Sequence, residues 1–191
     1  MKHTFILIAL LVICSLCVFG CAQKDSDAVR IGVIAELTGD IPAVGASCKN
    51  AAELAVREIN DNGGILLGGK KYPVELIIED NAGKADQSAS ATQKLITQSN
   101  VVAIVGPNAS RYAIPASEVA ESSKVVLISP WSTNPKTTLV GDTGASKKYV
   151  FRACFIDPFQ GRVVAKFAME NLGAKKEEVQ LALALLDHQS G

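Results

Sequence analysis

Ser110 is the residue of this sequence whose surroundings favour anion binding most clearly. It stands where a polar turn, 106–110, passes into a helix-forming segment, so its hydroxyl can cap the helix and its amide points outward. Free amides and the positive end of the helix dipole attract a carboxylate. The same pattern is typical of a serine that only caps its helix, and both interpretations are open. Asn108 and Ala109 share the turn and are further candidate ligand contacts.

A second polar turn, 129–135, supplies groups of the opposite kind. The hydroxyl of Thr133 and the backbone carbonyls around it can hold an ammonium group. Trp131, the single tryptophan, lies in the same turn, where its indole either covers a ligand or fills a gap beneath the loop. Ser110, Trp131 and Thr133 together predict a site for a small zwitterion or carboxylate, such as an amino acid.

Signatures of catalysis and of metal binding are missing from the sequence. It has no Gly-x-Ser-x-Gly turn and no glycine-rich phosphate loop, and its two histidines, His3 and His188, lie near the two ends of the chain. The 19 basic and 19 acidic residues cancel without a basic stripe, which argues against nucleic acid. We therefore expect a binding protein that is not an enzyme and uses no metal or cofactor.

The first 20 residues are typical of an export signal and not of a folded element. An apolar run over residues 5–19 is short for a membrane span of about 20 residues, and it ends at Gly20 and Cys21 before a polar stretch. This order resembles a bacterial lipoprotein signal, in which the cysteine is lipidated and becomes the N-terminus. We predict a signal peptide over 1–20, a lipid anchor at Cys21, and a location in the periplasm or at the cell surface. An ordinary secretion signal and an uncleaved anchor are the alternatives.

Strands and helices alternate after a tether over residues 21–28. Apolar, β-branched runs predict strands at 29–35, 74–78, 101–105 and 125–128. Helical periodicity predicts helices at 46–60, 85–98 and 110–122. Such alternation is typical of an α/β fold with a doubly wound parallel sheet, for which we expect the strand order 2-1-3-4-5. The two polar turns then meet at the carboxyl ends of the strands, beside the switch point of the sheet.

The same pattern restarts near the C-terminus. It predicts a strand at 149–153, a helix at 158–172 and a strand at 179–186. A single helix–strand unit cannot bury both of its faces, and an unpaired apolar strand is prone to aggregate. We therefore expect a ligand-binding lobe over 29–150, followed over 151–191 by a hinge and the incomplete start of a second lobe.

Short motifs recur from the first strand to the second polar turn. They are Ile31-Gly32-Val33 with Thr38-Gly39, Asn60-Asp61-Asn62-Gly63-Gly64-Ile65, Glu79-Asp80-Asn81, Ile104-Val105-Gly106, Pro115-Ala116, and Ile128-Ser129-Pro130 with Thr133-Asn134-Pro135. Their order resembles the N-terminal lobe of periplasmic branched-chain amino-acid-binding proteins. The resemblance implies a type I periplasmic binding fold, in which two α/β lobes joined by a hinge close on a ligand.

The resemblance also implies roles for individual positions. Ser110 would bind the ligand carboxylate, Trp131 would offer its backbone carbonyl to the ammonium group, and Thr133 would add its hydroxyl and amide. Val44 stands where some members carry an aromatic side chain. The implied function is extracytoplasmic binding of a branched-chain amino acid, or of a related carboxylate or amide, for an ABC permease. Because family members are longer, a truncated or sensor-type lobe that acts in signalling or protein interaction is the alternative.

Overall fold

A five-stranded parallel sheet forms the centre of the computed structural model, which describes residues 27–141 and 143–180. Its strands are β1 (Val29–Ala35), β4 (Val74–Asp80), β5 (Ala103–Val105), β6 (Val126–Ser129) and β7 (Val150–Arg152). They lie in the order β4-β1-β5-β6-β7, and every neighbouring pair is parallel. Counted along the chain, this is the order 2-1-3-4-5, so the predicted fold class is confirmed.

In the described part of the chain, four long helices flank the sheet or extend from it: α1 (Pro42–Asp61), α2 (Ala85–Thr97), α3 (Ser110–Ser123) and α4 (Asp157–Asn171). Helices α2 and α3 pack on each other and on one face of the sheet, whereas α1 packs on β1 and β4. Helix α1 begins four residues before its predicted start, because the first turn of a helix tolerates a proline. A short antiparallel hairpin of β2 (Ile65–Leu67) and β3 (Lys70–Tyr72) joins α1 to β4.

The hydrophobic core lies between the sheet and the pair α2–α3. Ile104, Leu127 and Val150 stand beside one another on β5, β6 and β7, and all three are buried. Leu95 of α2 and Ala116 of α3 close over this row. Burial of such side chains, at roughly 1.5–3 kcal/mol each, holds the three short strands against the helices.

Two glycines let neighbouring segments pass close to the end of β1. Gly45 of α1 lies against the backbone of Glu36, and Gly106 lies against the carbonyl of Ile34. A Cβ atom at either position would overlap those backbone atoms. Gly106 also has a φ of +93°, a conformation that other residues rarely adopt. The loops that follow β1 and β5 are thereby drawn together.

The C-terminal elements differ in part from the prediction. The strand expected at 149–153 is β7, and it extends the sheet of the first lobe, whereas α4, expected at 158–172, has no buried residue. Residues 176–180 are helical, so the strand prediction is wrong at residues 179 and 180. The physical reason is a capping interaction, in which the Lys175 amide donates to the Glu178 carboxylate (2.9 Å) and starts a helical turn.

Several predicted features lie outside the described residues. These are the signal segment over 1–20, the lipidation site Cys21, the tether up to residue 26 and the rest of the strand predicted at 179–186. Within the ranges 27–141 and 143–180, no helix is both long enough and apolar enough to cross a membrane.

Candidate functional site

Three loops come together at the carboxyl ends of β1, β5 and β6: residues 36–41, residues 106–109 and the 130–138 turn. The buried carboxylate of Glu36 joins the first two. It accepts hydrogen bonds from the Asn108 amide (2.9 Å), the Asn108 side-chain nitrogen (2.6 Å) and the Ala109 amide (3.3 Å). The Glu36 carboxylate thus accepts hydrogen bonds from the backbone amides of Asn108 and Ala109, two residues that are predicted to contact a ligand. Asn108 and Ala109 shape the site from behind, and their direct contact with a ligand stays a prediction.

Ser110 lies at the site, but its hydroxyl does not cap α3. The capping position belongs to Ala109, which makes no side-chain capping hydrogen bond, and Ser110 is already the first helical residue. Its Oγ instead accepts hydrogen bonds from the Asn134 amide (3.2 Å) and the Ser132 hydroxyl (3.1 Å). The capping prediction is wrong because the 130–138 turn engages this oxygen. That engagement brings together the two polar turns that the sequence singled out.

Trp131 and Thr133 present unused polar groups in the 130–138 turn. The carbonyl of Thr133 accepts a hydrogen bond from the Asp157 amide (3.0 Å). No residue in the described part of the chain forms a hydrogen bond with the hydroxyl or the amide of Thr133. The same holds for the backbone carbonyl of Trp131. Trp131 is 52% exposed, so the protein covers only about half of it. The contact of these groups with a ligand stays a prediction.

Arg152 of β7 fixes the shape of this turn. Its Nη1 donates to the carbonyls of Ser132 (2.7 Å) and Asn134 (2.9 Å), and its Nη2 donates to the Pro135 carbonyl (3.1 Å) and the Thr138 hydroxyl (2.5 Å). Backbone carbonyls that would otherwise need water are satisfied by one rigid guanidinium. Sequence reasoning missed Arg152, since no local signal connects it to residues up to 20 positions earlier.

Asp80, at the end of β4, fastens the beginning of the loop that follows β1. It accepts hydrogen bonds from the Leu37 and Thr38 amides (3.0 and 3.2 Å) and from the Thr38 hydroxyl (2.6 Å). Burial acts to raise the pKa of Asp80, but the hydrogen bonds from Thr38, Ala82 and Leu37 outweigh it and hold the pKa below its usual value. Asp80 therefore stabilises the loop in its ionised form.

The other end of that loop is fastened to α3. Asp40 forms an ion pair with Arg111 and accepts a hydrogen bond from the Tyr112 hydroxyl (2.8 Å). The Arg111 guanidinium also lies over the Tyr112 ring, 4.7 Å from its centre. Both ends of the 36–41 loop are thereby held against neighbours on the site side of the sheet.

A cavity of about 640 Å³ reaches the same loops at Asn108 and Pro130, but Ser110, Trp131 and Thr133 do not line it. Its walls are mainly apolar and come from α1 and from the ends of β5 and β6, and they include Val44, Cys48, Val105 and Pro130. Burial raises the pKa of the Cys48 thiol, and the nearby charge of Glu36 adds to the effect. The two cysteines among the described residues, Cys48 and Cys154, are unpaired thiols. No group of three or more His, Cys, Asp or Glu side chains within these ranges is arranged to hold a metal ion.

Comparisons with known proteins agree with this architecture. The family model described as "Periplasmic binding protein" matches residues 28–183. The Leu/Ile/Val-binding protein BraC3 of Rhizobium johnstonii is 39% identical over 148 residues, which are 78% of this chain and 38% of that protein.

Solved structures give the same result. The branched-chain amino acid transporter substrate binding protein LivJ of Streptococcus pneumoniae, in complex with isoleucine, has a TM-score of 0.67 and 36% identity, covering 77% of this chain and 39% of that one. The leucine binding protein LivK of Thermotoga maritima has a TM-score of 0.63 and 36% identity, covering 78% and 39%. The chain thus spans less than two fifths of the length of these proteins. With its sheet order, its loop arrangement and the family match over most of its length, the chain belongs to the periplasmic binding protein family.

Proposed function

We propose that this chain forms one ligand-binding lobe of an extracytoplasmic solute-binding protein that serves an ABC transporter. Its ligand is a small amino acid of the branched-chain type, or a related carboxylate or amide. The chain acts by binding and not by catalysis. The names of the relatives support this proposal, because they refer to Leu/Ile/Val binding and to isoleucine as a bound ligand.

One observation carries the proposal: groups of opposite polarity face the same end of the sheet. Ser110 provides a hydroxyl and an amide at the positive end of α3, which suits a carboxylate. The Trp131 carbonyl and the Thr133 hydroxyl lie on the adjoining turn and suit an ammonium group. A zwitterion satisfies both sets at once, whereas a simple anion or a simple cation satisfies one.

The surroundings of these groups favour an apolar side chain on the ligand. A cavity that reaches Asn108 and Pro130 of the same two loops is lined also by Val44 and Val105, and it offers few polar groups. An aliphatic side chain loses no hydrogen bond when it enters such a space, whereas a charged one leaves its solvation behind. Leucine, isoleucine and valine fit this combination of a polar end and an apolar wall.

The partners and location follow from the same proposal. A permease in the membrane would receive the ligand, and a lipid at Cys21 would hold the protein outside the cytoplasmic membrane. Palmitate labelling tests the second point, since a Cys21→Ala variant should lose the label. Equal labelling of both chains would rule out a lipid at this position.

Ligand titration followed by NMR tests the function. The chain from residue 22 onward is titrated with leucine, isoleucine and valine, and we expect weak binding of roughly millimolar affinity, because a single lobe supplies only part of the contacts. The double variant Ser110→Ala with Thr133→Ala should weaken binding at least fivefold, at about 1 kcal/mol per hydrogen bond. Ser122→Ala is the matched control, because that exposed serine lies at the far end of α3. Binding that survives the double variant would place the site elsewhere, and no binding at tens of millimolar would overturn the proposed function.

A further inference from the structure

A chain of buried hydroxyl groups lies directly behind Ser110. Ser132 and Thr137 are both fully buried in the 130–138 turn. Their hydroxyl oxygens are 2.6 Å apart, and the Ser132 oxygen is 3.1 Å from that of Ser110. The three oxygens therefore form a continuous line from the interior of the turn to the surface of the site.

The geometry of the Ser132–Ser110 pair suits Ser132 as the donor, whereas between Ser132 and Thr137 either hydroxyl can donate. Because Ser132 has a single proton and gives it to Ser110, its own oxygen accepts the proton of Thr137. The Asn134 amide donates to the same Ser110 oxygen (3.2 Å). A serine hydroxyl has two acceptor positions and one proton. Both acceptor positions of Ser110 are thus filled from within the protein, and only its proton remains to be donated.

We propose that Ser132 and Thr137 are positioning residues that make Ser110 a pure hydrogen-bond donor, so that the site selects a ligand acceptor at this point. The inference rests on the proposed function and deepens it. A carboxylate oxygen is favoured, since it accepts strongly and carries charge. The NH₂ group of a carboxamide is disfavoured, since it would meet an oxygen that can accept no further proton. Hydrogen bonds in a row also polarise one another, which strengthens the last donor.

Arg152 holds the residues of this row in place. It holds the carbonyls of Ser132 and Asn134, the residues whose donors fill the two acceptor positions of Ser110. Ser129 adds a further restraint, because its hydroxyl accepts from the Ser132 amide (3.2 Å) and donates to the Pro107 carbonyl (2.6 Å). The donor direction of Ser110 is therefore set in advance and need not be imposed by the ligand.

The test compares leucine with leucinamide, in which a neutral carboxamide, with one carbonyl acceptor and an NH₂ donor, replaces the carboxylate. We expect the chain from residue 22 onward to prefer leucine, and Ser132→Ala to lower the leucine-to-leucinamide affinity ratio roughly fivefold. Removal of the Ser132 donor lets the Ser110 oxygen accept from the amide. Thr137→Val should lower the ratio less, and Thr137→Ser, which keeps the hydroxyl, should restore it. A purely structural defect would weaken both ligands equally.

The outcomes separate the two proposals. If leucine binds but Ser132→Ala leaves the ratio unchanged, the positioning role is overturned while the proposed function stands. If the unmodified chain binds neither ligand, the proposed function fails, and amide exchange without ligand then decides the positioning role. Ser110→Ala should speed exchange of the Asn134 amide, which loses its acceptor, whereas Ser122→Ala should not. An unchanged Asn134 rate would overturn the arrangement itself.

Discussion

The two faces of the parallel sheet differ sharply in how well they are covered. On the face beneath α2 and α3, the row Ile104, Leu127 and Val150 is 0%, 0% and 2% exposed. On the opposite face the adjacent row is Val105, Ile128 and Phe151, of which Ile128 is 39% and Phe151 48% exposed. Successive side chains of a strand point to opposite faces of the sheet, so both rows come from the same three strands and are similarly apolar. The two rows differ in how far helices cover them.

The difference follows from the position of the helices. Helices α2 and α3 lie over the centre of one face, whereas α1 lies over β1 and β4 only. Val33 of β1, in the same row as Val105, is therefore fully buried, and exposure rises from strand to strand toward β7. Parallel sheets are normally covered on both faces. The main hydrophobic cluster of the described chain thus lies on one side of its sheet, and the candidate site stands at the carboxyl edge between the two faces.

Substitution of two neighbouring residues tests this comparison most directly. Leu127→Ala should lower the free energy of unfolding by about 2–5 kcal/mol, because it leaves a cavity in the packed core. Ile128→Ala removes a similar volume from the open face and should cost about 1 kcal/mol or less. Urea denaturation of both variants measures the two values. Equal losses of unfolding free energy would mean that the second face is covered in solution. If a second copy of the chain covers it, the urea midpoint should depend on protein concentration.

The helices permit a second comparison, between α3 on the packed face and α4 beyond it. Helix α3 has five buried residues, Tyr112, Ala113, Ala116, Ser117 and Ala120, and α4 has none. Amides in α4 should therefore exchange about 100-fold faster than those in the buried turns of α3, because opening α4 exposes little apolar surface. Hydrogen exchange with mass spectrometry measures both segments in one experiment. Equal protection would show that α4 docks on a surface, and the open face of β6 and β7 would then be the first place to examine.

Much of the fold was predictable because its signals are local. Four β-branched runs predicted β1, β4, β5 and β6, their alternation with helices predicted the doubly wound sheet, and a Gly106 turn followed by Ser110 predicted the start of α3. The strand prediction at residues 179 and 180 is wrong because it, too, relied on a local signal. An apolar run there favours a strand, but a capping contact from Glu178 decides for a helical turn.

The site was predictable only in part, since its organisation depends on contacts between distant segments. Ser110 and Thr133 stood out by residue type within polar turns. Glu36 did not, although it directly follows a buried strand, because its partner Asn108 is 72 residues away. Ser132 and Arg152 were missed for the same reason. Ser132 and Arg152 matter because of the oxygen atoms to which they donate hydrogen bonds. Tertiary packing determines those contacts, and the local sequence pattern does not.

The smallest expected change in stability concerns Asp80. This residue accepts hydrogen bonds from the loop that leads into α1, and α1 covers β1 and β4 on the second face of the sheet. Its pKa is lower in the folded chain than in the unfolded one, so its contribution is present above the unfolded value of about 3.9 and is lost as the pH falls through the folded pKa. Asp80→Asn should therefore lower the unfolding midpoint at pH 7, and the gap to the unmodified chain should close as the pH falls below about 4. Asp61→Asn, which removes an exposed carboxylate at the end of α1, controls for the change in net charge. A gap that stayed constant as the pH falls would mean that the stabilisation does not depend on the ionised carboxylate of Asp80, because a loss caused by ionisation must disappear when that carboxylate is protonated.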